Sequence, residues 1–301
     1  MRDNRRSALF ADLTLAVVTA IWGTTFVVNR LVLENAPPLL FLTLRFSVAA
    51  AVLALLAWRR PATPGVRRDG AFVGVLLGVS IGCQIVGQLF TSASKAAFIT
   101  GLSVPLTPVV TFLVARKAPS AANLSGLVLA ALGFGVLAWP ADATTFEPGD
   151  LLVLLTAVIY AWIIFYVGES APKHDARRYA AEQIFWAAVT VAVVRLVLTP
   201  FLSGPGAFFV AEARPLPRTI GFVAAILWMA LVATVVTFIA QTWAQARMSA
   251  VHAAIVFALE PVWTAFFAWI VLGDRMSRRD VGGAALILGG ILVSEWPGRK
   301  R

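Results

Sequence analysis

Charge is scarce in this 301-residue chain. Asp, Glu, Lys and Arg together make up 13% of it, against 59% apolar residues, and that is about half the charged share of an ordinary soluble domain. A chain so poor in charge cannot clothe a water-facing surface, which excludes a soluble globular fold. Cysteine occurs once, as Cys83 inside an apolar run, so disulfides play no part and the thiol has a packing role. Histidine occurs only at His174 and His252, no HExxH is present, and the single thiol has no neighbouring activator. Metal-ligand spacing and a nucleophile with its base, the requirements of a membrane enzyme, are therefore missing. No cofactor or metal is expected.

What the chain does have is long apolar runs. A bilayer core needs about twenty apolar residues per helix, and ten such stretches can be read, at roughly 9 to 30, 38 to 58, 70 to 92, 96 to 115, 122 to 139, 150 to 168, 179 to 200, 219 to 244, 249 to 272 and 279 to 296. The first is too long for the apolar region of a signal peptide and lacks a small-residue cleavage site, so it is expected to stay as a helix. The fold class expected is an all-α polytopic membrane protein of ten transmembrane helices. No length remains for the soluble output domain of a sensor.

The runs also repeat. Shifted by 157 residues, Gln84 to Pro140 fall on Gln241 to Pro297 without a gap, and sixteen positions are identical, among them Gln84/Gln241, Gln88/Gln245, Thr107/Thr264, Gly126/Gly283 and Gly133/Gly290. A shift of 138 matches the start of each half, setting Trp22-Gly23 on Tyr160-Ala161 and Arg45 on Gln183. Two units are expected, 1–140 and 150–297, with five spans each. Because five is odd, the second unit enters the membrane upside down, giving inverted repeats about a pseudo-twofold axis in the membrane plane. That is the plan of alternating-access transporters.

The net charge of +10 is a topology signal before it is a nucleic-acid surface. With both termini in the cytoplasm, the clusters Arg2/Arg5/Arg6, Arg59/Arg60/Arg67/Arg68, Lys173/Arg177/Arg178 and Arg299/Lys300/Arg301 all fall inside. The loop with Asp142, Glu147 and Asp150 falls outside, and Arg275, Arg278 and Arg279 are an exception. A multi-pass protein of the bacterial inner (plasma) membrane is expected, with lipid around it and no nucleic-acid partner.

Polar residues inside spans turn away from lipid and so mark a path. The fifth and tenth spans are almost wholly apolar and glycine-rich, and their glycines, like the ladder Gly70, Gly74, Gly78 and Gly82, read as helix packing. The third span carries Ser80, Gln84 and Gln88 on one face, and the eighth repeats this with Thr234, Thr237, Gln241 and Gln245. Such amides either tie helices together or meet a solute at the repeat interface, and the symmetric pairs favour the second. The fourth span has a stripe of Thr100, Ser103, Thr107 and Thr111 interrupted by Pro105 and Pro108. The ninth has His252, Glu260 and Trp263 beside Pro261, and proline-kinked helices there are gates or static bends. Trp22, Phe26 and Asn29 on the first span and Tyr160 and Trp162 on the sixth are candidate solute contacts, while Trp58, Trp139 and Trp296 are interfacial anchors. Arg45 and Glu260 are the most interior charges. Arg45 suits a substrate carboxylate or a helix C-terminus, whereas Arg195, Glu182 and Lys95 lie near helix ends and can snorkel.

Trp22-Gly23, Ser92-Ala93-Ser94-Lys95-Ala96-Ala97, Leu259-Glu260-Pro261-Val262 and Leu272-Gly273-Asp274-Arg275 leading to Gly282-Gly283-Ala284-Ala285-Leu286-Ile287 resemble the EamA modules of the drug/metabolite transporter superfamily. The pattern is most similar to the YddG-type bacterial amino-acid exporters. That resemblance covers nearly the whole chain. It implies a ten-helix basket around a central cavity and export of aromatic and other apolar amino acids. The sequence departs from the pattern around Arg116-Lys117, where the first-half acidic residue is absent, and at Asp274, which stands for Glu.

The substrate expected is therefore a small amino acid, bound by Trp22, Asn29, Gln84, Gln88, Thr100, Ser103, Thr107, Tyr160, Gln241, Gln245, His252, Glu260 and Trp263, with the protein acting as a monomer. A proton-coupled multidrug or organic-cation exporter is the alternative. Such an antiporter needs a membrane-embedded acid, and the first span has none between Leu13 and Arg30. A non-transporting sensor or enzyme is the more distant alternative.

Overall fold

The computed structural model describes residues 2–90, 96, 99–116, 118–138, 147–198, 207–272 and 278–295. The expectations for Ser92 to Lys95, Ala97, Lys117, Trp139, Pro140, Asp142, Gly273 to Arg275, Trp296, Pro297 and 299–301 lie outside those residues. Among the described residues the chain is helical with no strand. The long helices are α1 (Arg2–Leu33), α2 (Pro38–Ala57), α3 (Val66–Gly87), α4 (Ser103–Ala115), α5 (Ala121–Ala138), α6 (Pro148–Ser170), α7 (Ala176–Leu198), α8 (Ile220–Gln245), α9 (Ala250–Phe257 and Glu260–Leu272) and α10 (Arg278–Glu295). Seven described helices are long and apolar enough to cross a membrane, and three shorter apolar ones, Ile99–Ala115, Ala121–Gly133 and Val281–Ser294, make up the ten.

Local chemistry sets several starts. Pro38 and Pro148 stand in the first helical turns of α2 and α6, where a missing N–H costs nothing. Glu147 and Asp150 form a reciprocal capping box at α6, with the Asp150 carboxylate accepting the Glu147 N–H at 2.8 Å. The Thr219 and Ser249 hydroxyls accept backbone N–H groups of Phe222 and His252, both at 3.2 Å, and so open α8 and α9.

Close glycine contacts fix the direction of neighbouring helices. Helices in a bilayer gain nothing from the hydrophobic effect between them, so small residues that let backbones approach decide the packing. A Cβ on Gly126 would stand 2.5 Å from the Gly290 carbonyl oxygen, and one on Gly133 would stand 2.6 Å from that of Gly283. Gly126 is the repeat mate of Gly283, and Gly133 of Gly290. Each glycine therefore meets the mate of the other, so α5 and α10 run antiparallel and the two repeats are inverted. Elsewhere Gly70 meets Glu182, Gly74 meets Trp186 and Gly78 meets Thr190, an advance in step that makes α3 and α7 parallel. Gly82 has nothing within 4 Å, so the packing ladder has three rungs rather than four.

One element has no counterpart among the ten expected spans. A short helix, Ala207–Glu212, lies between α7 and α8, and its buried Glu212 accepts the N–H groups of Leu39 (2.7 Å) and Leu40 (3.2 Å) at the start of α2. Arg195 joins that carboxylate at 2.9 Å, so it is bound within the protein and does not snorkel. Arg214 closes the end of α1 by donating to the Leu33 carbonyl at 2.7 Å.

Neighbouring glycines on α10 give a test. A Cβ on Gly290 meets the Gly126 carbonyl at 2.6 Å and the Ala130 nitrogen at 2.8 Å, while one on Gly289 meets nothing. We expect Gly290→Ala to destabilise the protein by about 1–3 kcal/mol through overpacking. Gly289→Ala is expected to be neutral or to stabilise by up to about 1 kcal/mol through helix propensity. Melting curves in detergent read both, and equal effects would contradict the α5–α10 contact.

Candidate functional site

The fourth and ninth helices are interrupted at equivalent places. Before Ser103 the chain turns at Leu102, whose N–H reaches the Ile99 carbonyl at 3.1 Å, and α9 turns at Ala258–Leu259, where the Leu259 N–H reaches Val256 at 3.0 Å. Leu102 and Leu259 are repeat mates. Pro105 supplies no N–H for the Gly101 carbonyl, and Pro261 none for Phe257, so each helix opens one turn earlier. Irregular backbone at membrane depth is stable only against protein or a wet cavity. Gly101 and Ala258 both line one.

That cavity lies between the halves. It takes Trp22, Phe26 and Asn29 from α1, Gln84 from the last turn of α3, Tyr160 from α6 and Phe238 from α8. Thr100, Ser103 and Glu260 edge it from the broken helices, and Arg45 from α2. Its apolar floor is a cluster in which Trp22 stacks on Phe257 at 5.6 Å and leans on Phe238 at 6.0 Å. The Trp22 indole N–H donates to Thr237 at 3.2 Å, which fixes the ring. Gly23 is the point where α9 crosses α1, since any Cβ there would stand 2.6 Å from that of Trp263. The Gln84 amide donates to Thr100 at 3.1 Å, and the buried Asn29 carbonyl oxygen has no hydrogen-bond partner among the described residues.

Arg45 is held by an unusual stretch of α8. Trp228–Val236 winds as a π-helix, a form frequent at functional sites, and the Thr234 hydroxyl accordingly donates back five residues to the Met229 carbonyl at 2.7 Å. The buried Arg45 guanidinium donates through Nε to the Thr234 hydroxyl at 3.0 Å, with Nη2 at 3.5 Å from the Ala233 carbonyl. A helix C-terminus is not its partner.

Of the expected contacts, the structure gathers Trp22, Asn29, Gln84, Thr100, Ser103, Tyr160 and Glu260 around this cavity. It does not bring Gln88, Thr107, Gln241, Gln245, His252 or Trp263 to its wall. Gln241 donates to Gln245 at 2.9 Å, and Gln245 donates to the Ile164 carbonyl at 3.2 Å, which ties α8 to α6. Thr107 bonds back to the Ser103 carbonyl at 2.8 Å, and Thr111 to Thr107 at 2.9 Å. The Gln88 amide nitrogen and the Trp263 indole nitrogen are buried without a partner among the described residues. Trp162 is partly exposed against Phe165, and Trp58 is 79% exposed at its helix end, as an interfacial anchor requires.

His252 does something else. It bonds Asp12 at 2.8 Å and Ser294 at 3.2 Å, joining α1, α9 and α10 at the end of the bundle that holds the N-terminus. At the same end His174 bonds Asp69 at 3.0 Å and Thr63 at 2.6 Å, and Tyr166 donates to Asp69 at 3.0 Å. Both histidines thus tie one half to the other below the cavity, as does the edge contact of Phe10 with Trp243 at 5.4 Å. Asp12 lies one residue before the acid-free stretch from Leu13 to Arg30, at the helix end rather than at mid-depth, and no spacing marks it. Among the described residues no three His, Cys, Asp or Glu side chains group as metal ligands.

A family model described as the EamA-like transporter family matches residues 9–139 and 147–296. An uncharacterized transporter of Archaeoglobus fulgidus is 29% identical over 287 residues, 95% of this chain and 85% of that protein. A probable amino-acid metabolite efflux pump of Salmonella typhimurium is 23% identical over 292 residues, 95% and 94% of the two chains. One crystal structure superposes with a TM-score of 0.75 at 17% identity, covering 99% of this chain and all of that one. At that identity it speaks for the fold.

The glutamines now divide. We expect Gln84→Leu to weaken solute binding by about tenfold or more, the loss of a hydrogen bond to a charged group, with little change in melting temperature. Gln245→Leu is expected to lower the melting temperature and leave the affinity of the folded protein unchanged. Affinity and melting measured on the same preparations decide it; a Gln245→Leu protein of normal stability and reduced affinity would reverse the assignment.

Proposed function

We propose, from the premise that this chain belongs to the EamA-like transporter family, that it exports aromatic and other apolar amino acids across the bacterial inner membrane. It is a transporter and not an enzyme. The units 1–140 and 150–297 act as two inverted repeats that rock about the cavity between them. The observation that carries this reading is the composition of the cavity wall. An apolar floor of Trp22, Phe238 and Phe257 lies beside amide, hydroxyl and charged groups from both halves, which suits a solute with an apolar side chain and a polar head. The efflux-pump name of the Salmonella relative supports both the solute class and the outward direction.

With both termini cytoplasmic, the Asp12–His252 and Asp69–His174 contacts lie on the cytoplasmic side. The state described is then the one in which the cytoplasmic end is closed, and export requires those contacts to part so that the cavity fills from within. The breaks at Leu102 and Leu259 are where α4 and α9 bend. The first-span acid that a cation antiporter would carry at mid-depth is absent from Leu13 to Arg30. We therefore assign facilitated movement of amino acids down their own gradient, by a monomer in contact with lipid.

Proteoliposomes of the purified protein test this. Preloaded aromatic amino acids are expected to leave down their gradient with no pH difference, and organic cations are not. If a pH gradient alone drove concentrative movement of an organic cation, and Glu260→Gln abolished it, the proton-coupled multidrug reading would replace ours.

A further inference from the structure

Shape and charge obey different symmetries in the cavity. The repeat register sets Arg45 on Gln183 and Ser103 on Glu260. Gln183 is buried away from the cavity, its backbone carbonyl packed against Gly74 of α3, whereas Ser103 lines it as Glu260 does. The first half thus contributes a cation whose mate is a neutral amide packed elsewhere. The second contributes a carboxyl group whose mate is a hydroxyl. A pseudo-symmetric chamber has one basic and one acidic wall.

Neither group is ion-paired. No ion pair joins Arg45 to Glu260, or either of them to another charged side chain among the described residues. The π segment of α8 engages Nε and one side of Nη2 of Arg45, and a guanidinium has five N–H donors, so most of its fork remains for a ligand. The Glu260 side chain makes no hydrogen bond among the described residues. It begins the helical segment Glu260–Leu272, whose N-terminal dipole favours an anion at that place. Tyr160 stands within electrostatic range of both charges. Charges held out of bulk water without a counter-ion are costly, and two of opposite sign facing one chamber are relieved together by a ligand that carries both complements.

We propose that Arg45 and Glu260 are the two poles of a zwitterion site, the guanidinium taking the carboxylate and the Glu260 carboxylate taking the ammonium of one α-amino acid, whose side chain points to Trp22, Phe238 and Phe257. This rests on the amino-acid reading above and adds to it a single binding orientation and a rule of selection. A decarboxylated amine leaves Arg45 unpaired. A deaminated acid leaves Glu260 unpaired, and a site built to pair a group rejects the analogue that lacks it.

The test uses the purified protein in detergent, with direct binding of L-phenylalanine, phenethylamine and 3-phenylpropionate. Wild type is expected to bind phenylalanine at least about tenfold more tightly than either analogue. Glu260→Gln should weaken phenylalanine by a similar factor and narrow or reverse its preference over 3-phenylpropionate. Arg45→Gln should do the same with respect to phenethylamine. Because Arg45 also holds α8, Arg45→Lys serves as the folded control and should keep rejection of the amine. Equal binding of all three compounds by wild type overturns the poles whatever the variants do. Tight phenylalanine binding that neither variant alters overturns the poles and leaves the amino-acid reading standing. Failure of wild type to bind phenylalanine, with tight binding of an organic cation, removes the amino-acid reading and the poles with it.

Discussion

Hydrocarbon offers no hydrogen bonds, so every polar side chain and every break in a helix must find protein or enclosed water. Almost everything distinctive in this chain results from where those groups are allowed to go. Arg45, Asn29, Gln84, Tyr160 and Glu260 cannot face lipid, and they converge on one chamber. The backbone turns at Leu102 and at Ala258–Leu259 border the same space. The outer helices α5 and α10, whose polar residues gather near their ends, instead seal against each other through Gly126, Gly133, Gly283 and Gly290. A packing rule and a solvation rule together sort the helices into wall and lining.

Duplication explains why the lining is assembled from both halves. Each break lies in a helix whose mate is broken at the same place, and Trp22 and Tyr160, which are mates, both reach the cavity. Inversion turns those paired features toward each other across a pseudo-twofold axis, and two such halves rocking about a shared chamber is the simplest route from symmetry to alternating access. At the N-terminal end the ties are of another kind. Asp12–His252 and Asp69–His174 are cross-half contacts between side chains and can break without unfolding a helix.

Much of this is legible in the sequence, and the failures have physical causes. Ten apolar runs, the shift of 157 residues and the glycine spacing lead to the ten helices and their inversion, because membrane length and repeat register are one-dimensional properties. The polar face of α8 misleads because period arithmetic assumes an unbroken α-helix. Thr234 meets Arg45 from within the π-helical stretch Trp228–Val236, and in the turns beyond it, rotated by that stretch, Gln241 and Gln245 turn to each other and to Ile164. Gly82 matches the ladder by spacing yet has no neighbour, since spacing names a face and not what stands opposite. His252 groups with Glu260 by position because both lie on α9, but the break between them lets each serve a different contact. Glu212 gives no signal, as its short helix lies in the link between two spans.

Protection of a cysteine placed in the wall of the chamber between the repeats reads whether the solute sits there. Thr25 lines the chamber, so a Thr25→Cys protein in a Cys83→Ala background should react with a small water-soluble thiol reagent. Phenylalanine is expected to slow this reaction in a saturable way, at the concentrations that saturate its transport. A reaction rate unchanged while phenylalanine is being transported at saturation would put the solute elsewhere.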